Sequence, residues 1–315
     1  MDISVDVGFG SVKAAVYNNS EIRCVQFPSA VGYASSGCIE LGKFAKQEKS
    51  YSLNGEVLYL VGEDAVNTAI TTRDLSFLIK FSSLFVYKAL CDLNLVNSQI
   101  NLSLGLPLYY FSKYKDELKR SIFSDVINGS SLSLFINKFE IYPQGIGALM
   151  DYMIDDKITF VNERKELNSV IADIGYNTID VIITDKGRAV KGESDMLENA
   201  GIVKISKEMQ NYIKNNMDIN LSEAETQKAI IAQSVYGKDL SYEINSLSAK
   251  YAEWLIQEIK SRFKERINRS EKIIFTGGGV NLIKNELKDF KKAYIPNYPE
   301  FSNARGFLKS MVYGG

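Results

Sequence analysis

Near the N-terminus Asp6, Gly8, Gly10 and Lys13 stand in the order Asp-x-Gly-x-Gly-x-x-Lys. Glycines at that spacing let backbone amides approach a phosphate, a lysine adds a point charge, and an aspartate can orient magnesium through its waters. A plain glycine-rich β-turn would use the same residue types. A second set, Asp173, Gly175, Asn177 and Thr178, repeats the theme, and the two sets together read as a pincer on a polyphosphate. A third, Gly277-Gly278-Gly279, follows the apolar run Ile273-Ile274-Phe275 and precedes a helix beginning near Asn281. Bare backbone there lets a flat base or sugar lie at a helix N-terminus. The chain contains no histidine, which removes the usual zinc ligand, the Ser/His and Cys/His nucleophile arrangements and the usual proton shuttle. Chemistry must run on carboxylates, amides, lysine, backbone and metal. A dinucleotide GxGxxG fingerprint fits poorly, because the third glycine is missing and the run after Lys13 reads as strand.

The elements that carry these residues are legible as a duplication. The segment from Asp6 to Val16 (DVGFGSVKAAV) matches that from Asp173 to Ile183 (DIGYNTIDVII) in chemical type at nearly every position, half a chain length later. Each copy has an apolar run, then Asp-x-Gly with an aromatic and a small polar residue, then a second β-branched run, the pattern of a strand, a tight turn and a returning strand. Between and after the copies, strands at 101–106, 132–141 and 272–275 alternate with helices at 112–123, 145–154, 200–216 and 247–267, and Pro107 ends the first of those strands. Alternation of this kind means an α/β protein. Its length of 315 residues favours two domains, with a boundary in the charged stretch 155–168.

Composition narrows the function classes. Lys plus Arg number 37 against 38 Asp plus Glu, so no basic field exists to hold nucleic acid by counterion release. Cys24, Cys38 and Cys91 are far apart and odd in number, which fits a reducing, cytoplasmic compartment. The N-terminus places Asp2 where an export signal needs basic residues. The apolar run 77–91 is interrupted by Lys80 and Lys88 and is too short to span a bilayer; it reads as a buried amphipathic helix. The polar, glycine-containing loop at 34–54 is a candidate assembly surface.

Five segments in order, Asp6-x-Gly-x-Gly-x-x-Lys13, then Tyr142-Pro143-Gln144-Gly145-Ile146-Gly147-Ala148, then Asp173-x-Gly-x-x-Thr178, then Gly277-Gly278-Gly279, then Asn303-Ala304-Arg305-Gly306, resemble the signature of the actin and sugar-kinase ATPase superfamily over nearly the whole chain. Gly105-Leu106-Pro107-Leu108, the Pro-Gln pair and Gly-Gly-Gly-Val-Asn-Leu-Ile283 bring it closest to prokaryotic actins of the plasmid-segregation (ParM/StbA) and archaeal type. The resemblance implies an actin-like, ribonuclease H-like duplicated fold with a central nucleotide cleft. Domain I would cover 1–160, completed by a C-terminal helix at 301–315, and domain II 161–300. It implies ATP and Mg2+ as cofactors, with Asp6 and Asp173 on hydrated magnesium. Lys13 and the amides near Gly8, Gly10 and Gly175 would meet the phosphates, with Asn177 in the same loop and Thr178 donating to the terminal phosphate. Gly277, Gly278 and Gly279 would line the adenosine. Lys204 and Glu208 lie on the helix that covers base and ribose in relatives, although its spacing departs from that of actin. Gln144 would align the attacking water, with Glu140 as the fallback; hydrolysis of this type needs positioning and charge more than a strong base.

The function so implied is an ATP-hydrolysing protein that polymerises into filaments and segregates plasmid DNA through a DNA-binding adaptor, without direct nucleic-acid or membrane contact. A small-molecule kinase of the same superfamily is the alternative, disfavoured by glutamine at position 144. A chaperone reading would require a substrate-binding domain after the last helix, and a cell-shape role would call for a basic amphipathic helix at one end; neither is expected here.

Overall fold

The computed structural model describes residues 1–34, 49–55, 57–66, 68–70, 74–190 and 192–314. It divides into a first unit of Met1–Gln144, Asp156–Ile158 and Phe307–Gly315 and a second of Gly145–Asp155 and Thr159–Gly306. Most of the loop at 34–54, with Cys38, lies outside the described residues.

In the first unit β1 (Asp2–Val7), β2 (Ser11–Asn18) and β3 (Glu21–Pro28) form an antiparallel meander. A small second sheet holds β4 (Val31–Tyr33), β5 (Ser50–Leu53) and β6 (Val57–Val61). The helices α1 (Leu75–Lys80) and α2 (Ser82–Asp92) replace the single helix expected at 77–91, because Phe81 leaves helical geometry at φ −105°, ψ 10°. Both are largely buried. Then come β7 (Ile100–Leu106), α3 (Leu108–Ser124), the short strands β8 (Val126–Ile127) and β9 (Ser130–Ser131), and β10 (Ile136–Pro143). The strand expected at 132–141 begins later, since Ser131 Oγ accepts from the Ser133 amide and turns 132–134 into a 3-10 helix. The main sheet has the order β10-β7-β1-β2-β3, with β7 and β10 parallel to β1. β1 alternates Ile3, Val5 and Val7 with Ser4 and Asp6, all buried, and its apolar face joins Leu84 and Phe85 in one cluster. Each such aliphatic contributes about 1.5–3 kcal/mol of burial.

The second unit opens with α4 (Ile146–Met153), followed by β11 (Ser169–Ile174), β12 (Ile179–Asp185), β13 (Arg188–Ala189) and β14 (Asp195–Leu197). α5 (Val203–Met217), α6 (Glu223–Ala232), the hairpin of β15 (Ser234–Val235) and β16 (Lys238–Asp239), and α7 (Ser241–Arg269) come next. β17 (Lys272–Thr276), α8 (Val280–Leu287), β18 (Ala293–Tyr294) and α9 (Ser302–Tyr313) complete it, α9 running on into residues of the first unit. Its main sheet runs β18-β17-β11-β12-β13. That is the strand order of the first unit repeated, with β11 antiparallel to β12 and parallel to β17 as β1 is to β2 and β7. Val170, Ile171 and Ala172 are fully buried, as strands covered on both faces must be. Among the described residues no helix is long and apolar enough to cross a membrane.

Within the second unit α9 meets α4 backbone to backbone. A Cβ on Gly306 would collide with the Gly147 carbonyl and lie 2.9 Å from the Asp151 amide, and beside it Arg305 Nε donates to Asp151 Oδ1 at 3.1 Å in a largely buried pair. Gly306→Ala should therefore cost about 3 kcal/mol through overpacking against a backbone that cannot yield. Gly278→Ala, whose Cβ would meet only Glu300 Cβ at 3.9 Å, should stay within about 0.5 kcal/mol of the parent. Denaturant unfolding of the two variants checks the contrast.

Candidate functional site

The first loop, between β1 and β2, is a tight turn closed by the Gly8 amide donating to Ser11 O at 3.2 Å. Ser29, fully buried just past β3, pins it from one side: its Oγ donates to Gly8 O at 2.5 Å and its amide to Gly10 O at 3.2 Å. In a trans peptide the N–H points opposite to the preceding carbonyl, so the amides of Phe9 and Ser11 turn to the other side. Lys13 pairs with Asp6 across the β1–β2 ladder, and its ammonium hangs over the turn, 3.3 Å from where a Gly8 Cβ would stand.

Asp6 ends the polar face of β1 and is 4% exposed. Burial pushes its pKa up, against the lowering pull of Lys13 and of the hydrogen bond from Gln144. That bond runs from Gln144 Nε2 to Asp6 Oδ1 at 2.6 Å. Gln144 follows β10 and is held by its own amide donating to Leu106 O at 2.8 Å. Gly105 sits beside Asp6 on β7; a side chain there would press on Phe307 at 2.6 Å and Asp6 Oδ1 at 2.9 Å. Glu140, the fallback, is turned elsewhere: it accepts from the Tyr142 hydroxyl and pairs with Lys138 at 3.2 Å.

The second loop, between β11 and β12, repeats the turn, the Gly175 amide donating to Thr178 O at 2.9 Å. Here the start of α5 does the pinning. Gly175, Tyr176 and Asn177 carbonyls accept from the amides of Ile202, Val203 and Ala200 at 3.2, 2.8 and 3.1 Å. The amides of Tyr176, Asn177 and Thr178 therefore turn outward in succession, a nest for an anion. Asp173 occupies the place in its sheet that Asp6 holds in the other. Asp180 stands opposite it on β12 where Lys13 stands opposite Asp6, and Thr178 Oγ1 donates to Asp180 Oδ2 at 3.4 Å. Asn303 Nδ2 donates to Asp173 Oδ2 at 2.6 Å, while Asn303 Oδ1 accepts from the Gly145 amide at 2.8 Å.

The triple glycine closes against this second loop. Gly277 takes φ +90°, a conformation that favours glycine, and a Cβ on it would collide with the Asp173 carboxylate. The Gly279 amide donates to Ile174 O at 2.9 Å, and Gly278 opens towards Glu300. Lys204 and Glu208 are both exposed on α5, with the Lys204 ammonium 4.6 Å from the centre of the Trp254 ring.

In the first unit the structure thus gathers Asp6, Gly8, Gly10, Lys13 and Gln144. In the second it gathers Asp173, Gly175, Asn177, Thr178 and Gly277 to Gly279, with Lys204 drawn to Trp254. Ser29, Asp180 and Asn303 belong to these clusters and were not singled out from sequence. Asp180 and Asn303 sat inside quoted motifs, whereas nothing local marked Ser29.

The donors suit magnesium and a nucleotide phosphate. All are hard oxygens or amides, the donor types of an ion that keeps most of its water. Bare backbone at Gly8 and the outward amides of both loops suit phosphate oxygens.

Residues 4–147 match the family described as actin-like proteins, N-terminal domain, and residues 171–289 that of the archaeal actin homologue MreB-like C-terminal domain. Among solved structures, a ParM in a 15-stranded filament from Clostridium botulinum is 22% identical, covers 98% of this chain and 97% of its own, and superposes with a TM-score of 0.71. A non-polymerisable quadruple mutant of pCBH ParM is 20% identical over 99% and 98%, with a TM-score of 0.73. Ta0583, an archaeal actin homologue in complex with ADP, is 17% identical over 99% of both chains, with a TM-score of 0.75. At these identities the likeness is one of fold. A search of curated sequences returns no match.

Because burial raises the Asp6 pKa, the folded state holds this proton more tightly than the unfolded chain does. The stability this contributes is present below the ordinary carboxylate pKa and lost as pH rises through the raised value. Asp6→Asn keeps the acceptor for Gln144 without the charge. Its melting temperature should exceed that of the parent by about 2–4 °C at pH 7.5 in nucleotide-free protein, the gap narrowing towards pH 4.

Proposed function

As both matched parts of this chain are actin-like and its fold is that of ParM and the archaeal actin homologues, it is an actin-like protein, and we propose that it binds and hydrolyses ATP and assembles into filaments. The observation that carries this reading is the repeated aspartate, each copy at the end of a central strand, beside a pinned phosphate-type turn and under a side-chain amide.

In this reading Asp6 and Asp173 hold the waters of a magnesium ion, which when bound offsets charge on the phosphates. Lys13 and the outward amides of the first loop meet phosphate oxygens, and those of Tyr176, Asn177 and Thr178 do the same from the second. Gly277, Gly278 and Gly279 leave backbone bare for the adenosine. Gln144, already donating through Nε2, has its Oε1 as an acceptor for the attacking water. Charge divides the labour: the first loop pairs its aspartate with Lys13 and suits an anion, while the second pairs its aspartate with Asp180 and suits a hydrated cation.

The ParM structure from Clostridium botulinum is a filament and the archaeal homologue was solved with ADP, which supports the coupling of nucleotide to assembly here. Segregation of plasmid DNA through a DNA-binding adaptor is the cargo role we assign, in keeping with a net charge of −1. The place of action is the cytoplasm, away from membranes. Lys204 and Glu208 are kept as flanking contacts to base or ribose, reachable once Lys204 leaves Trp254.

Light scattering followed in parallel with phosphate release, after addition of Mg-ATP, tests the proposal. Scattering should rise above a critical concentration with phosphate release lagging, and Asp173→Ala should abolish both. Gln144→Ala should assemble yet hydrolyse about a hundredfold more slowly. Flat scattering at every concentration, with no phosphate released unless a hydroxyl or carboxylate acceptor is supplied, would instead establish the kinase alternative.

A further inference from the structure

Asn303 is 5% exposed and spends both ends of its carboxamide on residues of the candidate site. Its Nδ2 donates to Asp173 Oδ2 at 2.6 Å and its Oδ1 accepts from the Gly145 amide at 2.8 Å. The orientation is fixed by chemistry. A peptide N–H can only donate, so an oxygen must face Gly145; an ionised carboxylate can only accept, so a nitrogen must face Asp173. Aspartate would put two acceptors together.

The Gly145 amide belongs to the same planar peptide as the Gln144 carbonyl. Holding that N–H sets the backbone from which the Gln144 side chain departs. Gly145 itself stands at φ +79°, ψ −36°, and a Cβ there would collide with Ile182 Cδ1, so this peptide has one arrangement and Asn303 is the side chain that secures it. Duplication supports the assignment. Each central aspartate carries a side-chain amide: Gln144, directly after β10, donates to Asp6, and Asn303, in the first turn of α9, donates to Asp173. One amide of the pair reaches only its aspartate through its side chain. The other reaches its aspartate and the backbone next to its twin.

We propose that Asn303 is a positioning residue that ties the rotamer of Asp173 to the orientation of the Gln144–Gly145 peptide, so that metal-holding carboxylate and water-aligning amide are set together. It rests on the nucleotide-hydrolysing reading above and acts through Asp173 and Gln144, touching neither nucleotide nor water. Its expected signature is a loss in turnover without a matching loss in nucleotide affinity.

Two variants test it. Asn303→Asp keeps the size and the acceptor for Gly145 but sets two carboxyl groups at hydrogen-bond distance. In nucleotide-free protein at pH 7.5 the melting temperature of Asn303→Asp should lie about 5 °C below that of the parent, and below that of Asn303→Ala, since only the aspartate sets two acceptors against each other. For Asn303→Ala with Mg-ATP, kcat should drop about thirtyfold, while the Kd for a fluorescent ADP analogue in EDTA changes less than about threefold. A melting temperature of Asn303→Asp no lower than that of Asn303→Ala, a kcat of Asn303→Ala within about twofold of the parent, or a Kd that weakens in step with kcat each overturns the assignment. A parent protein that neither binds nor hydrolyses nucleotide would sink the functional reading instead, and the melting temperatures would still decide whether Asn303 holds Asp173.

Discussion

A carboxylate brought to the end of a central strand must be given donors and room, and most of what is particular to this fold follows from doing so twice. Asp6 and Asp173 each sit where a parallel and an antiparallel neighbour flank the strand. Each receives a short hydrogen bond of 2.6 Å from a side-chain amide. Amides are the apt partners. An amide steadies a carboxylate and leaves its charge in place, and at Asp6 it acts together with the lowering pull of Lys13. The cost shows at Asp6, whose pKa is raised by burial.

The same demand explains the glycines nearest the carboxylates. Gly105 on β7 and Gly277 after β17 both stand where a Cβ would press on the neighbouring aspartate. The first is a matter of space alone. The second also needs φ +90°, because the chain must leave β17, clear Asp173 and enter α8 within three residues. Pinning from behind completes each loop, by Ser29 in the first and by the amides at the start of α5 in the second. Both devices consume carbonyls on one side and so aim amides to the other.

The fold and the backbone parts of the site were legible because they rest on local patterns. The echo of Asp6 to Val16 in Asp173 to Ile183 announced two hairpins, and they form with matching register. The helices at 200–216 and 247–267 were found with ends displaced by a few residues, since caps are set by tertiary contacts such as that of α5 on the second loop. The strand expected from 132 was delayed by a serine-capped turn, and the helix at 77–91 was split at Phe81, where the backbone leaves helical geometry. What sequence could not give were contacts made at long range by common residue types. Ser29 is one serine among many until β3 brings it under Gly8, and Asn303 lies 130 residues from Asp173 along the chain. Glu140 looked eligible by position, yet its carboxylate is taken by Tyr142 and Lys138.

Glycine stands at two of the four places where the chain passes from one unit to the other, between Gln144 and Gly145 and between Gly306 and Phe307; the other two flank Asp156–Ile158. Gly145 is required for its left-handed backbone and for want of space beside Ile182; Gly306 is required because α9 lies directly on the Gly147 carbonyl of α4. Two different physical reasons thus select the same residue at these two crossings. Each of them carries an amide of the site close by, Gln144 immediately before the first and Asn303 one helical turn before the second. The aspartates sit within strands and the amides on the segments beyond them, so charge lies on sheet and hydrogen-bonding reach on the turn and helix that approach it.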